Sequence, residues 1–279
     1  MIEMLAVLGF PLVGAALLGI IGERREAPAV NVVVIFLTFA AAVALTARVI
    51  VDGPLLVLDR QFFVDPFNVF LVALTAFVGF TTAIFSRPYM RIEQEHGRLT
   101  AGRLRLYHSM YQLFNGTMLV ALLTNNMGIL WVAMEAATLT TVLLVSLYRT
   151  PASLEAAWKY FILCGVGIAQ ALFGTILLYF AAEKVLGAGG GALLWTELDH
   201  VKGQLEPTVL SIAFVFLLSA TAPRSASCRC TTGCPMPTPR GPHRCRRCSP
   251  DCCSTSRSTP SSAARCWSRV RCTRPSPAS

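Results

Sequence analysis

The stretch NNMGILWVAMEAATLTTVLLVSLYR, residues 125–149, decides the fold. Between Met127 and Tyr148 it contains a single ionisable carboxyl group, that of Glu135, in an otherwise apolar or hydroxyl-bearing run. An α-helix of about 20 such residues crosses roughly 30 Å of hydrocarbon. The stretch therefore predicts a transmembrane helix with one carboxylate in its interior.

Comparable apolar runs recur along the chain as far as residue 220. The runs predict further spans at about 2–22, 29–51, 66–86, 106–124 and 156–182, and a seventh that begins after Pro207 and stops being apolar near Ala220. Glu3 and the lack of basic residues at the N-terminus predict that the first span is a retained helix rather than a cleaved signal peptide. The predicted fold class is all-α, a polytopic transmembrane bundle of six complete helices and a truncated seventh.

Composition divides the chain into two parts near residue 220. The whole chain is 54% hydrophobic and only 14% charged, below the roughly 25% charged of soluble domains. Residues 1–220 hold 13 Lys and Arg against 14 Asp and Glu, whereas residues 221–279 hold 11 Arg against one Asp. Nine of the ten cysteines also lie in the second part. We predict a transmembrane domain over 1–220 and a disordered, basic tail over 221–279, and no nucleic-acid partner.

The loop charges predict the orientation of the bundle, because Lys and Arg collect on the cytoplasmic side. The loops after the first, third and fifth spans carry Arg24, Arg25, Arg87, Arg91, Arg98, Arg103, Arg105, Arg149 and Lys159. The opposite loops carry Arg60, Lys184 and Lys202. The N-terminus is therefore predicted outside, and the glycine-rich segment 187–192 in an external flexible loop.

Glu135 is the first candidate for a functional residue. It stands about eight residues into its helix, and so roughly 12 Å deep at 1.5 Å per residue. A carboxylate at that depth costs at least ~2.5 kcal/mol, so it persists where it faces a wet or paired interior. One interpretation is a group that gains and releases a proton; the other is a structural carboxyl held by hydrogen bonds between helices.

Two further ionisable residues have competing interpretations. Lys159 lies near the predicted cytoplasmic end of the sixth span and is spaced for an i,i+4 pair with Glu155. Its ammonium group either reaches the membrane interface or faces inward, where it could tune Glu135 or pass a proton onward. Asp65, directly before Pro66, is most simply the residue that starts the third helix.

The run NNMGILWVAMEAATL, followed by SLYRTPASLEAAWKYFILCGVGIAQALFGTILLY, resembles the antiporter-like membrane subunits of respiratory complex I, Mrp-type antiporters and energy-converting hydrogenases. It is most similar to hydrogenase-4 component F. The upstream stretches FVDPFNVFLV, FSRPYM and LYHSMYQLF extend the resemblance over about residues 60–220. In that family a glutamate of the fifth helix works with a lysine of a broken seventh helix in a proton channel, and the resemblance gives Glu135 the first role.

The resemblance implies a non-catalytic, proton-translocating subunit of an oxidoreductase of the NADH-quinone or hydrogenase-4 type. The implied partners are other membrane subunits and a hydrophilic redox arm, and the implied location is the bacterial inner (cell) membrane. No haem, iron–sulfur or nucleotide motif occurs in the apolar part, where Cys164 stands alone, so we expect no cofactor and no metal in this subunit. The alternatives are an Mrp-type cation/proton antiporter subunit and a non-functional structural remnant.

The tail from about residue 220 lacks the family's lysine and any apolar period. Its CRRC cluster is a weak zinc signal, because the neighbouring thiols are irregularly spaced and no histidine pair accompanies them. Arg, Ser, Pro and Cys dominate it, as in a GC-rich gene read out of frame. A shifted frame permits GYGTKVGLVPMHNWLPDAHAEGPTP over residues 220–244, which resembles the family's seventh helix. We therefore expect the tail to be out of frame and the copy to be truncated.

Overall fold

The computed structural model describes residues 2–24, 26–58, 60–97, 99–187 and 190–233, and side chains as far as Ala220. Its helices are α1 (Ile2–Ile21), α2 (Ala27–Asp52), α3 (Pro66–Glu95), α4 (Ala101–Leu123), α5 (Met127–Val145), α6 (Pro151–Leu186), α7 (Trp195–Val201) and α8 (Pro207–Gly233). Two short strands, β1 (Leu55–Val57) and β2 (Phe62–Val64), pair as an antiparallel hairpin between α2 and α3. The predicted tail begins at residue 221: its residues 221–233 belong to α8 and the rest lie outside the described residues, so its division from the bundle stays a prediction.

The all-α transmembrane bundle predicted from the sequence is confirmed. Within the described residues, five helical segments are long and apolar enough to cross a membrane: Ile2–Ile21, Ala27–Asp52, Pro66–Glu95, Met127–Tyr148 and Pro151–Leu186. The start of α8, Pro207–Ala220, is a shorter apolar segment. Large apolar side chains such as Phe70, Phe85 and Trp158 are exposed on the outside of the bundle, as expected for a surface that meets lipid.

Helix α4 occupies the predicted fourth span but is less apolar than its neighbours. It packs against α1, α3 and α5, and its contact face buries polar side chains. The buried polar residues on this helix are His108, Gln112, Asn115 and Thr117. In lipid such groups are placed on faces that meet other helices, which explains why the polar face of α4 lies inside the bundle.

The main apolar core lies where α1, α2, α3 and the end of α4 meet the hairpin. Its most enclosed side chains include Met4, Leu45, Val64, Val72 and Leu119. Asp65 begins α3 as predicted: its carboxylate accepts a hydrogen bond of 2.7 Å from the backbone N–H of Asn68, and Pro66 takes the first helical position. This cap fixes the point at which the hairpin turns into α3.

Candidate functional site

Helix α5, which carries Glu135, is fixed at its first residue by an asparagine pair. The Asn126 side chain caps the helix by accepting from the N–H groups of Gly128 at 2.8 Å and Ile129 at 3.4 Å. Its amide nitrogen donates to Gln61 Oε1 at 2.8 Å, in the loop of the β-hairpin. The cap therefore holds the start of α5 and the hairpin loop together.

Asn125 connects three segments at the same end of the bundle. Its side-chain nitrogen donates to the Arg60 carbonyl at 2.8 Å and to Thr196 Oγ1 at 3.0 Å, and its backbone N–H donates to the Gln61 carbonyl at 2.7 Å. Arg60 also forms an ion pair of 2.6 Å with Glu197 of α7. The NN pair of the motif thus has a structural explanation, since it joins the hairpin, α5 and α7.

The other end of α5 is fixed by a tight turn. A 3₁₀ turn over Ser146–Tyr148 follows the helix, and Arg149 adopts a left-handed backbone with φ of 50°. Ser153 Oγ at the start of α6 donates to the Val145 carbonyl at 2.6 Å. Because both ends are bonded to neighbouring segments, the depth of α5 within the bundle is set by these contacts.

Glu135 lies in the middle of α5 with a partly buried side chain. No described residue forms a hydrogen bond or ion pair with its carboxylate. Its neighbours Trp131 and Met134 line a cavity of about 330 Å³, enclosed mainly by apolar side chains of α5, α6 and α8. Glu135 itself is not among the residues that line this cavity, so what the structure shows is a partly buried carboxyl group without a fixed polar partner among the described residues.

Lys159 lies on the outer side of α6, and its side chain is 74% exposed. Its ammonium group pairs with Glu155 one turn earlier, as the i,i+4 spacing predicts. This placement is that of an interfacial lysine with its head at the helix surface.

The register between α5 and α6 shows that Glu135 and Lys159 are not opposite each other. Trp131 Nε1 donates to the Ile168 carbonyl at 2.9 Å, and Ser153 bonds Val145 nearer the loop. These two hydrogen bonds align α5 with α6 so that Glu135 is level with Cys164. Cys164 is about five residues from Lys159 on α6, which is roughly 7 Å along the helix axis. Among the described residues the two candidates are therefore on adjacent helices but not in contact.

A second polar region, which was not predicted from the sequence, lies at His108 and Gln112 of α4. His108 is 2% exposed and Gln112 is fully buried. Gln112 Nε2 donates to the Asn31 carbonyl at 3.0 Å and to its Oδ1 at 2.9 Å. The signal available in the sequence was the spacing of His108, Gln112 and Asn115 at i, i+4 and i+7 within a membrane span, which places them on one helix face.

The described residues contain no group of three His, Cys, Asp or Glu side chains arranged to hold a metal ion. Cys164, which is buried on α6, is a free thiol.

The chain is similar in sequence to hydrogenase-4 and NADH-quinone oxidoreductase subunits. No family model matches the chain. The chain is 45% identical over 213 residues to a hydrogenase-4 component F homolog of Methylacidiphilum infernorum, across 76% of this chain and 44% of that protein. It is 28% identical over 172 residues to NADH-quinone oxidoreductase subunit N of Paraburkholderia phymatum, across 61% of this chain and 32% of that protein. The matched region thus spans less than half the length of these curated relatives.

Solved structures share the fold. A chain of the membrane-bound sulfane sulfur reductase, an archaeal respiratory membrane complex, superposes with a TM-score of 0.66 at 19% identity, across 79% of this chain and 44% of that chain. A chain of respiratory complex I from Thermus thermophilus superposes with a TM-score of 0.57 at 21% identity, across 78% of this chain and 43% of that chain. At these identities the likeness concerns the fold alone.

Proposed function

We propose that the chain is a proton-translocating subunit of a respiratory membrane complex. The proposal is supported by the similarity of the chain to hydrogenase-4 component F and to NADH-quinone oxidoreductase subunits, a similarity that is consistent with the antiporter-like family. The complex is of the hydrogenase-4 or NADH-quinone oxidoreductase type. The proposed partners are further membrane subunits and a hydrophilic arm that carries the redox reaction. The proposed location is the bacterial inner membrane, with the N-terminus outside.

The observation that carries the proposal is the setting of Glu135. Its carboxyl group is partly buried in the middle of a membrane helix, and no described side chain satisfies it. A structural carboxyl of the alternative kind would be held by hydrogen bonds to a neighbouring helix. An ionisable group left without such bonds at this depth is expensive, and such groups mark routes for ions and protons.

Proton transfer needs a change in the proton affinity of Glu135 during the cycle. For carboxyl groups in general, burial favours the neutral acid, and water or a nearby positive charge favours the carboxylate. Small movements of α6 and α8 around the cavity beside Trp131 and Met134 would change the hydration of the site and therefore its charge. We propose that redox events in the partner subunits drive such movements, so that Glu135 takes up a proton on one side and releases it on the other.

Lys159 has the second role in this proposal. Its ammonium group is at the predicted cytoplasmic end of α6, paired with Glu155, roughly 7 Å along the axis from the level of Glu135. We propose that it adjusts the local potential and the supply of protons at that end rather than exchanging protons directly with Glu135.

The test is a Glu135→Gln substitution in the complex that contains the full chain, with proton translocation measured in inverted membrane vesicles during turnover. Glutamine keeps the shape of glutamate but cannot ionise, so we expect translocation through this subunit to be lost while electron transfer continues. Glu206→Gln is the matched control, because Glu206 is an exposed glutamate paired with Lys184 at the start of α8. Unchanged translocation in Glu135→Gln would refute the proposal in favour of a structural subunit. Sodium-coupled exchange without redox turnover would favour an antiporter instead.

A further inference from the structure

In the described part of the chain, the buried side-chain atoms without a hydrogen-bond partner all lie on one face of α4. These atoms are Nδ1 and Nε2 of His108 and Oε1 of Gln112. The two residues are four positions apart, so their side chains are neighbours on successive turns, about 6 Å from each other. Buried polar groups almost always bond to protein or to ordered water, so a pair of unsatisfied neighbours marks a place for water.

His108 lines the inner end of a cavity of about 510 Å³ that reaches the end of the bundle where α3 is followed by α4. The cavity is formed by the segment after α1, the last turns of α3 and the first turns of α4. Its volume is enough for several water molecules, since one water occupies about 30 Å³ in the liquid. His108 is therefore at the end of a space that water can fill, and Gln112 lies one turn further in, outside the lining of the cavity.

The charged groups around this cavity come from the segment after α1, from α3 and from α4. Arg91 pairs with Glu95 on α3 at 3.2 Å, and Glu23 pairs with Arg105 of α4 at 3.0 Å. Within the described residues this leaves Arg24 and Arg87 without an ion pair. On α2 the lining residue is the uncharged Pro28, and on α4 the Tyr107 ring lies 5.3 Å from the imidazole ring, measured between centroids. The excess positive charge opposes cations at the mouth, hydronium included, but does not exclude water.

Polar groups continue from His108 toward the middle of the bundle. Gln112 bonds Asn31 of α2, and Asn115 on the next turn donates to the Tyr111 carbonyl at 2.8 Å. Arg103 bonds the Tyr148 carbonyl at one end of the α4–α5 pair, and Thr124 bonds the Asn126 carbonyl at the other. These two contacts fix how α4 and α5 are aligned, so that Asn115 of α4 is level with Glu135 of α5. Asn115 is about 10 Å further along the axis of α4 than His108.

We propose that His108 is a water-linked group at the inner end of this cavity, and that His108 and Gln112 form a hydrated proton inlet reaching toward the level of Glu135. A neutral imidazole has one N–H donor and one nitrogen acceptor, so it can take a proton from one water and release its other proton to the next. The role of His108 in transport rests on the proposed function, whereas the hydration of His108 does not.

Hydration is tested on the full chain in lipid nanodiscs, labelled with ¹⁵N only at histidine, by transfer of magnetisation from water to the imidazole signals in solid-state NMR. The chain has four histidines, and His96 and His200 are exposed internal references. The His108 signal is assigned by its absence in His108→Gln. If that variant does not fold, the signal is assigned by elimination from His96→Gln, His200→Gln and His243→Gln. We expect His108 to receive magnetisation as early as the exposed histidines; a signal that stays isolated from water would overturn the inlet.

Transport through the inlet is tested in the complex by replacing His108 with Phe, which fills the site with an apolar ring, and with Ser, which leaves room for water. We expect a several-fold slower translocation in His108→Phe and a smaller loss in His108→Ser, with His96→Gln as the matched control. A wild-type rate in His108→Phe refutes the transport role. If His108 is hydrated but Glu135→Gln still translocates protons, the proposed function fails and the hydrated site stands.

Discussion

The indole Nε1 of Trp131 donates a hydrogen bond of 2.9 Å to the main-chain carbonyl of Ile168, and so joins α5 to α6 one turn from Glu135. Hydrogen bonds between helices within the membrane are worth on average about 0.6 kcal/mol. The bond also orients the indole ring beside the cavity of Met134 and Ile168. It therefore contributes both to stability and to the setting of the carboxylate.

Replacing Trp131 with Phe removes this bond and keeps an aromatic ring. We expect a loss of about 0.6 kcal/mol in the free energy of unfolding, measured by denaturant titration in mixed micelles. Trp158→Phe is the matched control, because Trp158 is 63% exposed on the outer face of α6. Equal effects of the two substitutions would contradict a specific role for the Trp131 bond.

Replacing Asn125 with Ala should loosen the end of the bundle that contains the hairpin. The change leaves the Arg60 carbonyl and the Thr196 hydroxyl without their donor, and we expect a cost of about 1 to 3 kcal/mol. Hydrogen exchange should then quicken in residues 55–64 and in α7 but not in α1. Thr196→Val removes only one of the bonds and should give a smaller effect. Uniform exchange across the bundle in both variants would show that Asn125 does not link these segments.

Gly174 allows α6 and α8 to approach closely. A Cβ at this position would lie 3.0 Å from Leu217 Cγ and 3.1 Å from the Ala213 carbonyl oxygen, which is main chain and cannot turn aside. We expect Gly174→Ala to destabilise the protein by about 1 to 3 kcal/mol through overpacking. The control is Gly165→Ala on the same helix, where a Cβ would meet nothing within 4 Å. Thermal unfolding should therefore show a lower midpoint for position 174 and an unchanged or higher one for position 165.

Two substitutions together separate the effect of the Lys159 charge from the effect of its ion pair. Lys159→Met removes both the charge and the ion pair. The pair with Glu155 is exposed, so we expect less than about 1 kcal/mol of lost stability. Glu155→Gln breaks the same pair but keeps the lysine. If Lys159 adjusts the proton supply, translocation should fall in Lys159→Met and persist in Glu155→Gln. Equal rates in both variants would remove Lys159 from the proton pathway and leave Glu135 there alone.

The positions of the membrane helices could be predicted from the sequence because apolar length alone identifies them. The helix ends were less predictable. Helix α3 continues to Glu95 and α6 begins at Pro151, because charged turns outside the hydrocarbon still form helical hydrogen bonds. The hairpin β1–β2 was not predicted. Each strand has only three residues, which is too short for the alternation of a strand to be distinguished from the apolar spans on either side.

The polar interior was harder to predict than the spans. Glu135 was recognisable because a carboxylate in an apolar run is rare. His108 and Gln112 were not, because neutral polar residues in a helix reveal their importance only when the structure shows which neighbours leave them unsatisfied. The same reason explains Asn125, whose sequence position gives no sign of its bonds to Arg60 and Thr196.

The short, doubly anchored helix α5 has a consequence for the lipid around the protein. Its 19 residues measure about 28 Å, close to the thickness of the hydrocarbon, and its bonded ends prevent it from sliding. A thicker or thinner bilayer must then be accommodated by tilt or by local deformation of the membrane. Acyl-chain length would thereby set how far the Glu135 carboxyl is from each water surface, and hydrophobic mismatch would change the depth of this side chain.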